Sequence, residues 1–214
     1  MKVDNVGEIT PSVLVSLGPG EKVLADHGIF LHMDPGIKLN RRSLKSLGVS
    51  LAHLMVVEAA THDPEKFFFV EYEGPGNITL SRDKGGEVRA LSLAPGETLR
   101  LRQGHLMVFE PTVRYNPMIV AQWRVPNDQN PHYLVADVLT GPGTVVVQGH
   151  GNLLTFDLPP GETIRCTPSS YLLASATVGL QVRTYFLPNP TGIVTRPLTQ
   201  MLLTGPGRVI VQSG

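Results

Sequence analysis

The seven histidines are the residues to test first for chemistry: His27, His32, His53, His62, His105, His132 and His150. A cupin-type metal centre needs two histidines two apart on one strand, so that both rings leave the same face, with a carboxylate a few residues on. The chain has no His-x-His. His27 and His32 are five apart, which on one strand puts them on opposite faces, and Gly28 marks a turn between them. The other five show no ligand spacing. The expectation is no metal and no cofactor, with each histidine at the surface or in the packing.

Nucleophile chemistry has no better footing. Gly-x-Ser-x-Gly is absent, and so is a Gly-Lys-Ser/Thr phosphate loop. Cys166 is the single cysteine and sits in Thr163-Ile164-Arg165-Cys166, a half-buried strand pattern without a base beside it. It cannot form a disulfide within the chain, which fits a reducing compartment. Pro-Gly-Glu occurs three times, and its glutamates Glu21, Glu97 and Glu162 could meet as a cation-binding trio or cap their own turns; the second reading is preferred. No catalytic residue is expected.

The charges exclude a bulk electrostatic partner. Eighteen basic and 18 acidic residues give a formal net charge of zero, so wholesale attraction to nucleic acid or anionic lipid is not expected. Local clusters remain: Lys38, Arg41, Arg42 and Lys45 in one segment, and Arg82, Lys84, Arg89, Arg100 and Arg102 in another. Of these, Lys38, Arg41, Arg42, Lys45, Arg100 and Arg102 form the candidate partner patch. Aromatic residues make up 6% of the chain, few for base stacking; Tyr115, Trp123 and Tyr133 are the best placed. The first 17 residues lack a signal-peptide core, and the longest apolar runs are too short to span a bilayer. A cytoplasmic protein without a transmembrane segment is expected.

The elements that position these residues are strands. The apolar fraction is 42%, enough for a core, and 22 glycines and 18 prolines are spread along all 214 residues, as short strands and tight turns require. The turns repeat. Pro-Gly-Glu falls at 19–21, 95–97 and 160–162, with Pro19-Gly20, Pro95-Gly96 and Pro160-Gly161 as corners. Gly-Pro-Gly falls at 74–76, 141–143 and 205–207, with Pro75-Gly76, Pro142-Gly143 and Pro206-Gly207. The two motifs strictly alternate. Gly96 and Gly143 are 47 apart, Gly161 and Gly207 46, and Gly20 and Gly76 56, so the first copy carries an insertion. Such triplication points to three related units in one β domain, about 9–82, 83–150 and 151–214.

Proline presets φ for the second position of a type II turn, and glycine accepts positive φ at the third; both motifs are read this way, as hairpins. Thr98-Leu99-Arg100-Leu101-Arg102 alternates apolar and basic side chains. Thr144-Val145-Val146-Val147 and Arg208-Val209-Ile210-Val211 read as buried strands. The third Gly-Pro-Gly is followed by no linking strand before Gly214, whereas Ile9–Leu17 matches one, so the N-terminal segment is expected to complete the third unit and close a pseudo-threefold ring. Residues 35–66 fit the repeat least: a basic amphipathic helix is one reading, and a loop leading into a strand at Ser50–Val57 is preferred.

Leu202-Leu203-Thr204-Gly205-Pro206-Gly207 through Gln212-Ser213 resembles the closing segment of the altered-inheritance-of-mitochondria family, and Leu139–Gln148 resembles it too. The resemblance runs from about residue 7 to 214. It implies a fold similar to the β-sandwich of the tryptophan RNA-binding attenuation protein, with three units per chain, and it defines no catalytic residues. The mitochondrial members are tied to inner-membrane organisation. Where members carry a glycine-rich loop, this chain has Arg41-Arg42-Ser43-Leu44-Lys45-Ser46. The functional expectation is a non-enzymatic binding or scaffold protein with a protein partner or further copies of itself as a homo-oligomer. RNA binding is the first alternative, and a cupin-like small-molecule or metal-binding protein the second.

Overall fold

The computed structural model describes residues 1–7, 11–55, 68–82, 85–125, 128–186 and 197–214; Ile9, His62 and Lys84 lie outside them. The chain is all-β. A leading strand β1 (Lys2–Val6) precedes three copies of a six-strand unit. The first unit comprises β2 (Ser12–Leu17), β3 (Lys22–Ala25), β4 (Phe30–Met33), β5 (Lys38–Ser43), β6 (Phe68–Glu73) and β7 (Gly76–Ser81). The second runs β8 (Val88–Leu93), β9 (Thr98–Arg102), β10 (Leu106–Phe109), β11 (Arg114–Trp123), β12 (His132–Thr140) and β13 (Gly143–Gln148). The third runs β14 (Leu153–Leu158), β15 (Thr163–Cys166), β16 (Tyr171–Ser175), β17 (Gly179–Tyr185), β18 (Leu198–Thr204) and β19 (Gly207–Gln212).

Within each unit the first, sixth and third strands form one half-sheet, and the second, fifth and fourth form the other. The second half of one unit then joins the first half of the next, edge to edge. Four sheets result, ordered β1-β2-β7-β4, β5-β6-β3-β10-β13-β8, β11-β12-β9-β16-β19-β14 and β15-β18-β17. The first packs on the second through Val13, Val15, Ile78 and Leu80 against Val23, Ala25, Met107, Val108 and Val146. The second packs on the third through Phe109, Val145 and Val147 against Leu99, Leu101, Leu139 and Leu172. The third packs on the fourth through Tyr171, Val209 and Val211 against Met201 and Leu203. Val145, Val146 and Val147 are therefore all buried, because the second sheet is covered on both faces.

Both proline–glycine corners carry the chain from one half-sheet to the other, and they do not close hairpins. Pro-Gly-Glu is the type II turn expected: Glu21, Glu97 and Glu162 donate their N–H to the carbonyls of Gly18, Ala94 and Pro159 at 3.1, 3.0 and 3.2 Å, and Gly20, Gly96 and Gly161 take φ of 75°, 79° and 82°. Gly-Pro-Gly is a different turn. Gly74-Pro75, Gly141-Pro142 and Gly205-Pro206 are cis peptides, so the reading of a second type II turn is corrected. The two corners lie against one another: the N–H of Gly74, Gly141 and Gly205 each donates to the carbonyl of Glu21, Glu97 and Glu162 at 2.9 Å. A Cβ on Gly141 would stand 2.4 Å from the Ala94 carbonyl oxygen, so only glycine lets the corners approach this closely.

Two further expectations are corrected. The N-terminal strand completes the first unit: β2 pairs with β7 from Ser12↔Ser81 to Leu17↔Gly76, while β14 pairs with β19. The linking strand precedes its own unit's Pro-Gly-Glu corner, so the third unit lacks nothing. Among the described residues no strand pairing joins the first sheet to the fourth, and the ring is not closed. The segment after β5 is a 3₁₀ turn at Leu44–Leu47, capped by the Ser43 hydroxyl and ended by Gly48 at φ 84°. Residues 51–55 are helical where a strand was expected.

Candidate functional site

The six candidate patch residues fall in two places. Lys38, Arg41 and Arg42 lie on β5, at the edge of the second sheet, with Lys45 just beyond. Arg42 Nε is 3.4 Å from Glu71 Oε2, Lys38 Nζ is 3.8 Å from Glu73 Oε1, and the Arg41 guanidinium lies 3.7 Å over the Phe68 ring. Lys22 holds the same two glutamates at 3.6 and 2.8 Å. Arg100 and Arg102 are inside the third sheet, on β9. Arg100 donates to the carbonyls of Ser175 and Val178, and Arg102 to that of Pro168 at 2.6 Å. These arginines join the second unit to the third.

The histidines that sequence spacing kept apart are partly reunited. His27, His105 and His150 line one cavity of about 390 Å³ together with Arg82, Gln103 and Gln148. His27-Gly28 and Gly104-His105 are the turns after β3 and β9; the turn glycines share an eight-residue offset from Gly20 and Gly96, while the histidines themselves stand seven and nine residues on. His105 is 6% exposed and donates its Nδ1–H to the Gln148 carbonyl at 2.8 Å. Burial drives its pKa down to about 4, so it is neutral near pH 7. Arg82 is matched by Asp26 at 2.6 Å. Among the described residues no group of three His, Cys, Asp or Glu could hold a metal ion.

The aromatic candidates divide as well. Tyr115 is buried and donates to Asp137 Oδ1 at 2.8 Å. Trp123 stacks on His132, with ring centroids 5.6 Å apart, and His132 is held by Asp128 at 2.7 Å. Glu21 and Glu97 cap their own turns, accepting from the N–H of Gly18 and Ala94 at 2.8 and 2.9 Å. Burial pushes the Cys166 thiol up to about 11, which keeps it protonated and a poor nucleophile.

The surface feature with no parallel in sequence spacing is the outer strand of the first sheet. Phe30 pairs with Leu80, as Leu106 pairs with Val147 and Tyr171 with Val211, so β4, β10 and β16 are equivalent. Leu106 and Met107 are 3% and 0% exposed, Tyr171 and Leu172 both 0%, yet Phe30 and Leu31 are 50% and 62% exposed. β10 and β16 are covered by β3 and β9 of the preceding unit, whereas among the described residues β4 pairs with β7 alone. At the other end, among the described residues, β15 pairs only with β18.

Fold and surface define a three-unit β-sandwich protein in which Arg82, Arg100 and Arg102 bind across its own junctions. A family profile described as mitochondrial biogenesis AIM24 matches residues 5–214, and the chain belongs to that family. An X-ray structure of a Streptococcus pyogenes protein is similar over 100% of this chain and 93% of that one, with a TM-score of 0.67 and 18% identity, which establishes the shared fold. No curated protein matches. Among the described residues no helix is long and apolar enough to cross a membrane.

Proposed function

We propose that this chain is a non-enzymatic scaffold that works by associating with further copies of itself, in the cytoplasm. One observation carries the reading: the strand surface that is buried at both internal junctions is exposed on β4, at Phe30 and Leu31. An apolar, unpaired strand edge is a template for another strand, and exposed apolar patches mark interaction sites. The charged groups support the non-catalytic side of the reading, since Arg82, Arg42, Arg100 and Arg102 are engaged by carboxylates or carbonyls of the fold. The family description names a process and no reaction, which agrees with it.

Light scattering on a size-exclusion column, run over a hundredfold range of concentration, tests the proposal. The expected result is a mass of two or more times 23.2 kDa. A monomer throughout the range, with no partner retained from lysate, overturns it.

A further inference from the structure

The two internal junctions are built alike. At the first, β3 pairs antiparallel with β10, with Ala25 opposite Val108 and Leu24 opposite Phe109. At the second, β9 pairs antiparallel with β16, with Leu101 opposite Leu173 and Arg100 opposite Ala174. In each case the second strand of one unit meets the third strand of the next. The receiving strand carries a bulge at the same place, between Leu106 and Val108 and between Tyr171 and Leu173. β4 has that bulge too, between Phe30 and His32, so its backbone already has the form of a receiving strand. β15 is the second strand of the third unit, and among the described residues it pairs with β18 alone.

We propose that β15 of one chain docks antiparallel against β4 of a second copy, with Cys166 opposite His32 and Arg165 opposite Met33. The proposal rests on the self-association reading above and supplies its surface and register. The charges fit. Arg100 donates to the carbonyls of Ser175 and Val178, the turn just past β16. The matching turn past β4 is Asp34 to Ile37, closed by the same N–H to carbonyl bond at 3.1 Å. Arg165, exposed at the position equivalent to Arg100, meets those carbonyls and the Asp34 carboxylate beside them. Docking covers Phe30 and Leu31 as Leu106 and Met107 are covered within the chain. Because the two mating edges differ, the contact is head-to-tail, and the assembly is a ring of chains where the rotation closes and an open stack where it does not.

The single natural cysteine makes the register testable. Residues directly opposite on antiparallel strands have Cα atoms about 4.5–5.5 Å apart, within the span of a disulfide. In His32→Cys the introduced thiol faces Cys166 of the next copy. Oxidation with copper phenanthroline, read on a non-reducing gel and by intact mass, is expected to link chains into dimers and larger species. The unaltered chain and Leu39→Cys, placed on the exposed edge β5, stay unlinked. Hydrogen exchange gives a second reading without substitution: amides at 30–33 and 163–166 gain protection as concentration rises. A multimer by light scattering without the inter-chain link or the protection overturns the register and leaves self-association standing. A disulfide within one chain shows closure of the chain on itself and overturns the second copy as occupant. A monomer at every concentration removes both readings.

Discussion

Tyr115 donates its hydroxyl proton to Asp137 Oδ1 at 2.8 Å, with both residues less than a tenth exposed. The bond ties β11 to β12 beneath the core that holds the second sheet on the third. Burial, with the adjacent Asp137 carboxylate, raises the phenol's pKa and keeps it a donor. Tyr115→Phe keeps the ring against Phe69 and Phe109 and removes only the hydroxyl. The expected loss in urea unfolding is about 2 kcal/mol, the scale for a buried hydrogen bond to a charged group.

Gly141 is the test of the stacked corners. A Cβ there meets the Ala94 carbonyl at 2.4 Å and Leu93 Cβ at 2.7 Å. Gly141→Ala is expected to destabilise by about 2 kcal/mol through overpacking. Gly96→Ala has nothing within 4 Å of its new Cβ but keeps φ at 79°, and is expected to cost about 1 kcal/mol from the left-handed conformation alone. Urea midpoints of the two variants separate crowding from backbone preference.

His105 makes stability depend on pH. Its pKa is about 4 in the folded chain, lowered by burial, against about 6.5 when unfolded. As pH falls below 6.5 the unfolded chain takes up a proton that the folded one refuses. The stability contributed by neutral His105 is present above 6.5 and is lost as pH falls toward 4, by about 3 kcal/mol in all. Urea titrations at pH 7, 5.5 and 4 should show this fall, and His105→Gln should show a shallower one.

Leu31 is 62% exposed in the single chain. Leu31→Glu places a charge on the mating edge with little cost to the monomer. The dimer fraction at a fixed concentration should drop at least tenfold by light scattering, while the thermal midpoint of the diluted chain stays within 2 °C or about 0.5 kcal/mol of the parent, the ordinary scale for a surface substitution. An unchanged mass distribution would place association elsewhere.

Arg100 and Lys38 should differ in their weight, although both belong to the same candidate patch in the sequence. Arg100→Met removes donors to two carbonyls at the junction of the second and third units and is expected to cost about 1–2 kcal/mol. Lys38→Met breaks a 3.8 Å contact of a largely exposed ammonium group and should change stability by less than about 0.5 kcal/mol. Paired thermal melts read the difference.

Much of the architecture is legible in the residues. Pro19-Gly20, Pro95-Gly96 and Pro160-Gly161 announce type II turns because proline and glycine set the dihedrals locally. Val145-Val146-Val147 announces a strand buried on both faces. The phase of the repeat is harder to read, because a turn reverses the chain without saying whether its flanking strands pair with each other. That is why Ile9–Leu17 pointed to the third unit, while its strand, Ser12–Leu17, belongs to the first. The cavity of His27, His105 and His150 was hidden for a similar reason: its members come from different units and share no spacing along the chain. For Leu51, Leu54 and Met55 the loop-to-strand reading is preferred over a helix in the sequence, and the structure has a helical turn at 51–55 from which Leu54 reaches the core.

Residue type and spacing alone determined the Pro-Gly-Glu corners, the strands that flank them and the count of three units, since the first two follow from dihedral preference and side-chain branching within a few residues and the third from the recurrence of the corners. Only the tertiary structure decided which half-sheets join, that Arg100 and Arg102 turn inward to carbonyls, and that Phe30 and Leu31 are left uncovered. Those outcomes depend on edge pairing between segments far apart in the chain, and an edge strand has the same sequence character whether its neighbour is present or missing.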